Sequence, residues 1–329
     1  MIDTWKEQME LFVDNTHAFK KEFVLHNGLK KLMAALQYAQ AGKAIDAEAI
    51  HQCYELIKKN TGVFSTFRGD MGLCIATMLS LSPDPQGQLT KTLKVYDQLK
   101  AVKFYPSDYL VIAAYQIAAA ADPADYEVVV DRTRKFYEGM KKHHFFYTAE
   151  DDYIFVAMLG LTELDPTAGV ERIERLYTQL AGEFWDKNSV QTLAQVLVLG
   201  DSSDSVSMRV LALRDALREQ KIKLDKTYTL PVLGILALMP VELSTIVNDL
   251  GAAQDTLRAQ KGFGALSLST QELLVFAASV VAASYAENIH DGNLSAAMLT
   301  TINNIIIAQQ AAMVAMIAAT AATSSAASS

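Results

Sequence analysis

The stretch that decides the fold is Glu150-Asp151-Asp152-Tyr153-Ile154-Phe155-Val156-Ala157-Met158-Leu159-Gly160, three adjacent carboxylates running straight into an apolar run of large and small residues. Acids at the start of such a run meet the orphan N–H groups and the positive end of a helix dipole. A helix is therefore predicted here, with its carboxylates at the N-terminus.

The same pattern recurs on both sides. The openings are Arg68-Gly69-Asp70, Pro106-Ser107-Asp108, Glu150-Asp151-Asp152, Lys187-Asn188-Ser189, Thr227-Tyr228-Thr229 and Thr270-Gln271-Glu272. Six residues beyond a polar residue of the opening stands an alanine: Asp70 to Ala76, Asp108 to Ala114, Asp151 to Ala157, Asn188 to Ala194 and Gln271 to Ala277. The Tyr228 segment departs from this, with Gly234 in that place. Taken on Asp70, Asp108, Asp151, Asn188, Tyr228 and Gln271, the intervals are 38, 43, 37, 40 and 43 residues, the period of two-helix repeats. Between openings lie turns such as Ser82-Pro83-Asp84-Pro85, Ala121-Asp122-Pro123 and Leu164-Asp165-Pro166, then an amphipathic run of charged and apolar residues. Proline just past a helix end stops it, and Asp before the next run caps it.

Each unit thus predicts a first helix apolar nearly all round and a second helix with one polar face. Phe104, Phe145-Phe146, Phe184-Trp185, Leu224 and Phe263 follow the second helices and are expected as apolar plugs. The fold expected is all-α, with α/α two-helix repeats forming a superhelix or a closed toroid, because one such unit cannot bury its apolar face without neighbours. Residues 1–66 are expected as N-terminal helices packed on the repeat, with Thr4 and Glu7 as a capping box and Asp46 as an N-cap. About six hairpins would occupy 67–292, and an apolar helix with an Ala/Ser tail 293–329.

Composition bounds the function. The 329 residues are 51% hydrophobic and 20% charged with net charge −8, a folded chain whose basic residues are interspersed with acids, which argues against nucleic acid. Cys53 and Cys74 lack metal-ligand spacing and are expected as buried, reduced thiols. The N-terminus has no apolar export signal. The run 302–320 is built largely of Ala and carries Asn303, Asn304, Gln309 and Gln310, so it is not expected to span a membrane; lining the concave face, plugging a toroid and self-association are the roles open to it. A cytoplasmic protein follows as the expectation.

Three groups of strings, Phe67-Arg68-Gly69-Asp70-Met71-Gly72-Leu73-Cys74, Lys103-Phe104-Tyr105-Pro106-Ser107-Asp108-Tyr109 and the run from Arg134 to Phe146, together with Gln260-Lys261-Gly262-Phe263-Gly264-Ala265, resemble a Gram-positive bacterial family known as domain of unknown function 4003. The apolar run at 305–317 is similar too, so the resemblance spans nearly the whole chain. It implies a bacterial protein and carries no reaction onto particular residues.

If the first helices run parallel, Arg68, Asp70, Asp108, Glu150, Asp151, Asp152, Asn188, Tyr228, Gln271 and Glu272 gather at one rim. Capping accounts for most of that polarity. Three adjacent carboxylates exceed what one cap needs, and Asp108, Asp151 and Asp152 are the residues that would hold a divalent metal such as magnesium. A diphosphate-ionising site is poorly matched, since Asp151-Asp152 leads into Tyr153-Ile154-Phe155 without the third Asp of a DDxxD pattern. His143-His144, adjacent on a helix, point to different sides and make a poor metal pair. The leading expectation is a binding or scaffold module whose concave face or cavity takes a peptide, partner protein or hydrophobic small molecule. The alternative is a toroidal enzyme, a hydrolase, lyase or prenyl-chain enzyme, with a carboxylate-rimmed site.

Overall fold

A computed structural model describes residues 4–288 except 27, 70, 201, 202 and 204. The expectations for Asp70, for 293–329 and for self-association through 302–320 lie outside the described residues, as does the side chain of Thr4.

The described chain is all-helical. Its helices are α1 (Thr4–Glu22), α2 (Gly28–Gln40), α3 (Ala47–Asn60), α4 (Gly72–Ser80), α5 (Pro85–Ala101), α6 (Asp108–Ala120), α7 (Tyr126–His143), α8 (Tyr153–Leu161), α9 (Pro166–Leu180), α10 (Lys187–Gly200), α11 (Val206–Glu219), α12 (Leu230–Leu238), α13 (Leu243–Ala259) and α14 (Thr270–Asn288). Short 3-10 turns at Thr66–Arg68, Glu150–Asp152 and Thr227–Thr229 lead into α4, α8 and α12. The three carboxylates of the deciding stretch therefore form a 3-10 turn, and the α-helix starts at Tyr153.

Two compact units divide the chain. Among the described residues, one unit runs from Asp14 to Thr167; the other takes the residues from Ala168 together with the start of the chain through Val13. Within the first, α4 pairs with α5, α6 with α5 and α7, and α8 with α7, while α2 packs on α4 and α6 on α8. In the second, α12 packs on α10, α11 and α14, and α13 on α11 and α14. There Phe12 stacks on Phe276 with ring centroids 5.6 Å apart and meets Phe263 edge-on at 5.7 Å.

The alternation of helix character is as read. In α8 every residue from Tyr153 to Gly160 is buried, whereas α9 buries only Gly169, Val170, Ile173, Leu176 and Leu180. Ala76, Ala114, Ala157, Ala194 and Ala277 are all fully buried. Gly234 stands at the one departure from that register: a Cβ there would stand 2.5 Å from Leu193 Cδ1, so an alanine would need the Leu193 side chain of α10 to shift. Gly160 is similar, since its Cβ would lie 2.3 Å from Thr133 Oγ1 and 3.0 Å from backbone atoms of Val129 and Thr133.

Two arginines fasten first helices to the second helices before them. Arg132 of α7 donates from Nε to the Gly160 carbonyl at 3.0 Å and from Nη2 to the carbonyls of Thr162 and Leu164. Arg209 of α11 does the same for α12, reaching Ala237 at 2.7 Å, Met239 at 2.8 Å and Val241. In each case the acceptors are the orphan carbonyls of a helix end and the turn after it, satisfied by a planar fork.

The plugs divide. Phe104, Phe184, Leu224 and Phe263 are buried as expected. Phe145, Phe146 and Trp185 are not, with Phe146 91% and Trp185 97% exposed. In each pair the unit spends one apolar residue on closure, or none, and leaves the others in solvent.

Candidate functional site

The expected rim residues take up local jobs first. Arg68 donates from Nε to Thr61 Oγ1 at 3.1 Å and from Nη2 to the carbonyls of Lys58 and Thr61, so it caps the end of α3. Asp152, 1% exposed, accepts from the Ala149 N–H at 3.0 Å. Thr229 repeats the contact in its own turn, its hydroxyl accepting from Lys226 N at 3.1 Å. Glu272 repeats it again, accepting from Ser269 N at 2.7 Å while Ser269 Oγ accepts from Glu272 N at 3.2 Å, a reciprocal capping box. A side chain reaching three residues back is thus the shared device at three helix starts.

At two other starts the cap sits beside the residue expected. Ser107, next to Asp108, accepts from Leu110 N at 3.2 Å. Asp186 precedes Asn188 and accepts from Ser189 Oγ at 2.9 Å and from the Asn188 N–H. Runs of adjacent polar residues make the cap visible in sequence, but not which of two neighbours performs it.

Three other expected rim carboxylates of the first unit act on one side chain. Asp151, Asp108 and Glu150 all bear on Tyr109, whose hydroxyl is held far above its usual range, by burial first and by those three negative charges after it. Glu150 is itself raised, by burial and then by Asp151, against a hydrogen bond from Ser107 that favours its charged form. In the second unit Tyr228 lies beside Ser269 and Glu272, with its hydroxyl raised by burial. Among the described residues no group of three His, Cys, Asp or Glu side chains is placed to hold a metal ion. Asp152 accepts from Ala149 N instead, and Glu150 and Asp151 act through their charge on the buried phenol of Tyr109.

Two depressions were candidates for a binding cavity. One of about 350 Å³ is lined by residues that include Met78, Ser82, Asp84, Lys91 and Tyr115; the other, about 400 Å³, includes Lys221, Val247, Asn248 and Asp255. Neither contains an expected rim residue. The cysteines behave as read: Cys74 is fully buried with its thiol pushed up to about 12 by burial and its Sγ 3.4 Å from Met33 Sδ, and Cys53 is buried and raised too.

A surface feature was missed by the sequence reading. In the first unit the turns leading from a second helix to the next first helix carry exposed apolar side chains: Val63 and Phe64 after α3, Tyr105 after α5, Phe145 and Phe146 after α7. Val24 and Leu25, in the turn before α2, are exposed as well. These turns share an end. α2 and α4 bring their C-termini together through Tyr38 Oη and Ser80 Oγ, 2.8 Å apart, and the starts of α6 and α8 meet where Tyr105 N donates to Tyr153 Oη. Just before each of three turns a lysine ammonium lies over a tyrosine ring four residues earlier: Lys58 over Tyr54 at 5.1 Å, Lys100 over Tyr96 at 5.4 Å, Lys141 over Tyr137 at 5.4 Å. That Tyr-x-x-x-Lys pair, recurring at the end of successive second helices, was the sequence signal available.

A family model described as protein of unknown function (DUF4003) matches residues 15–311. The chain belongs to this family. No curated protein and no solved structure matches it. The match includes every helix start just described and the three Tyr-Lys pairs of this family member.

Proposed function

We propose that this DUF4003 protein is a non-catalytic binding module, and that its contact surface in the first unit is the end bearing the turns after α3, α5 and α7. The single observation that supports this is the exposure of Phe64 and Phe146 on those turns, where every neighbouring unit buries an aromatic or aliphatic plug. Large apolar side chains left in water on several adjacent turns are the mark of a surface that meets something else. The reading places the contact on loop tips instead of the concave face expected from helix character.

Rim carboxylates enter it only as scaffolding. Asp152 and Glu272 hold turns in place, and the turns present the apolar tips. A photo-crosslinking amino acid placed at Phe146, and in a second protein at Asp165 on the opposite end, tests the reading in cells. Adducts are expected from the position of Phe146 and not from that of Asp165. Adducts at neither position, or only at Asp165, overturn it.

A further inference from the structure

This inference rests on the contact surface proposed above and names its partner. The two ends of the first unit differ in charge. Turns at one end, after α4, α6 and α8, carry Asp84, then Asp122 and Asp125, then Glu163 and Asp165, with no lysine or arginine among residues 81–84, 121–125 and 162–165. Lys43 beside Asp46 balances the turn after α2. At the other end, the turns after α3, α5 and α7 are each flanked by two lysines: Lys58 and Lys59, Lys100 and Lys103, Lys141 and Lys142. All but Lys141 are well exposed, and Lys141 lies over both Tyr137 and Phe145.

Exposed aromatic tips, each with its own lysines, fit the water–hydrocarbon boundary of a bilayer. Aromatic rings sit at headgroup level, and ammonium groups on flexible stems meet lipid phosphates. A protein partner would ask for a different surface, one with a packed apolar centre from which water is excluded. Here Leu25, Phe64 and Phe146 are so exposed that they do not pack on one another, and they stand on separate turns. A fluid partner can surround isolated tips; a rigid one cannot. On the first-helix side of this end Asp152 is buried, and Asp108, Glu150 and Asp151 bear on Tyr109. On the second helices Glu55 pairs with Lys58 at 2.7 Å and Asp97 with Lys100 at 3.4 Å, so the lipid contact falls to Lys59, Lys103 and Lys142. Lys103 adds a local sign. It holds the left-handed conformation, φ 67°, at the helix-end position where glycine is favoured, and keeps its side chain exposed.

We infer that the end of the first unit bearing Phe64, Tyr105 and Phe146 with Lys59, Lys103 and Lys142 docks peripherally on anionic lipid bilayers, the tips entering the headgroup layer. Sequence composition argued against a spanning helix, and no described helix is long and apolar enough to cross a membrane; a peripheral contact needs neither.

The experiment is sedimentation of the full chain with vesicles of phosphatidylcholine alone and of equal parts phosphatidylcholine and phosphatidylglycerol, at physiological salt. Binding to the anionic vesicles only is expected. Phe64→Ala/Phe146→Ala should weaken it about tenfold or more for each ring removed from the boundary. Lys59→Gln/Lys103→Gln/Lys142→Gln should weaken it about fivefold for each lysine. All five side chains are exposed, so an unchanged thermal midpoint is expected to show that the fold survives. Glu163→Gln/Asp125→Asn, at the acidic end, should bind as the parent does. Three results overturn the inference: no binding to either vesicle, binding that both variants leave unchanged, or a dimer in solution that Phe64→Ala/Phe146→Ala dissociates, which makes a second copy the partner. Protein adducts from the crosslinker at Phe146 without vesicle binding sink the bilayer and leave the contact surface standing.

Discussion

Asp152, Glu150 and Lys103 show how unlike three charged residues on neighbouring turns can be. Asp152 is buried and holds the Ala149 N–H, so Asp152→Ala should cost about 1–2 kcal/mol through a lost cap and an orphaned donor; a denaturation midpoint unchanged from the parent would refute this. Glu150 is exposed enough that screening keeps its effect below about 1 kcal/mol. Its folded pKa is raised, so the stability it contributes is present at pH below the ordinary carboxylate range and is lost as pH rises through the folded value. Glu150→Gln is therefore expected to raise the thermal midpoint slightly at neutral pH, with the gain vanishing in acid, where parent and variant should coincide. Lys103→Gly relieves a left-handed residue and should stabilise by about 0.5–1 kcal/mol while reducing vesicle binding. A gain in both properties together would contradict the role given to this lysine.

At the level of elements, much was legible because close packing leaves a trace in composition. The alanine register from Ala76 to Ala277 marks positions that are fully buried, and at Gly234, in the same register, an added Cβ would crowd Leu193. Helix starts were legible to within a residue or two, since several adjacent polar residues compete for one cap and only geometry selects Ser107 over Asp108 or Asp186 over Asn188. The fate of Phe145, Phe146 and Trp185 was not legible, because a large aromatic after an amphipathic helix reads as core and nothing in the pattern distinguishes the one that turns inward. Nor were the arginine clamps, whose acceptors are backbone carbonyls some thirty residues on. Arg132→Met is expected to cost about 1.5–3 kcal/mol for charge-assisted bonds lost at a helix end, and Arg132→Lys should not restore it, since a point charge cannot reproduce the fork. Full recovery in the lysine variant would show that charge alone suffices.

Across the molecule, both thiols lie in the unit from Asp14 to Thr167, which makes their chemistry a gauge of that unit's opening. A thiol reagent should leave Cys53 and Cys74 unmodified in the folded protein. Gly160→Ala forces a methyl against the α7 backbone, at about 1–3 kcal/mol of overpacking, and should accelerate modification. Gly234→Ala overpacks the other unit and should leave the rate near that of the parent; equal acceleration by both would show that the two units open together.

The contrast between one buried and one solvated plug extends to the indoles. Trp5 is 3% exposed and Trp185 97%, and the chain has two tryptophans. Its intrinsic fluorescence is therefore a sum of a blue-shifted, shielded emitter and a red-shifted one open to solvent. Acrylamide should quench only the second, and Trp185→Phe should leave a single population that reports on the interior of the second unit alone.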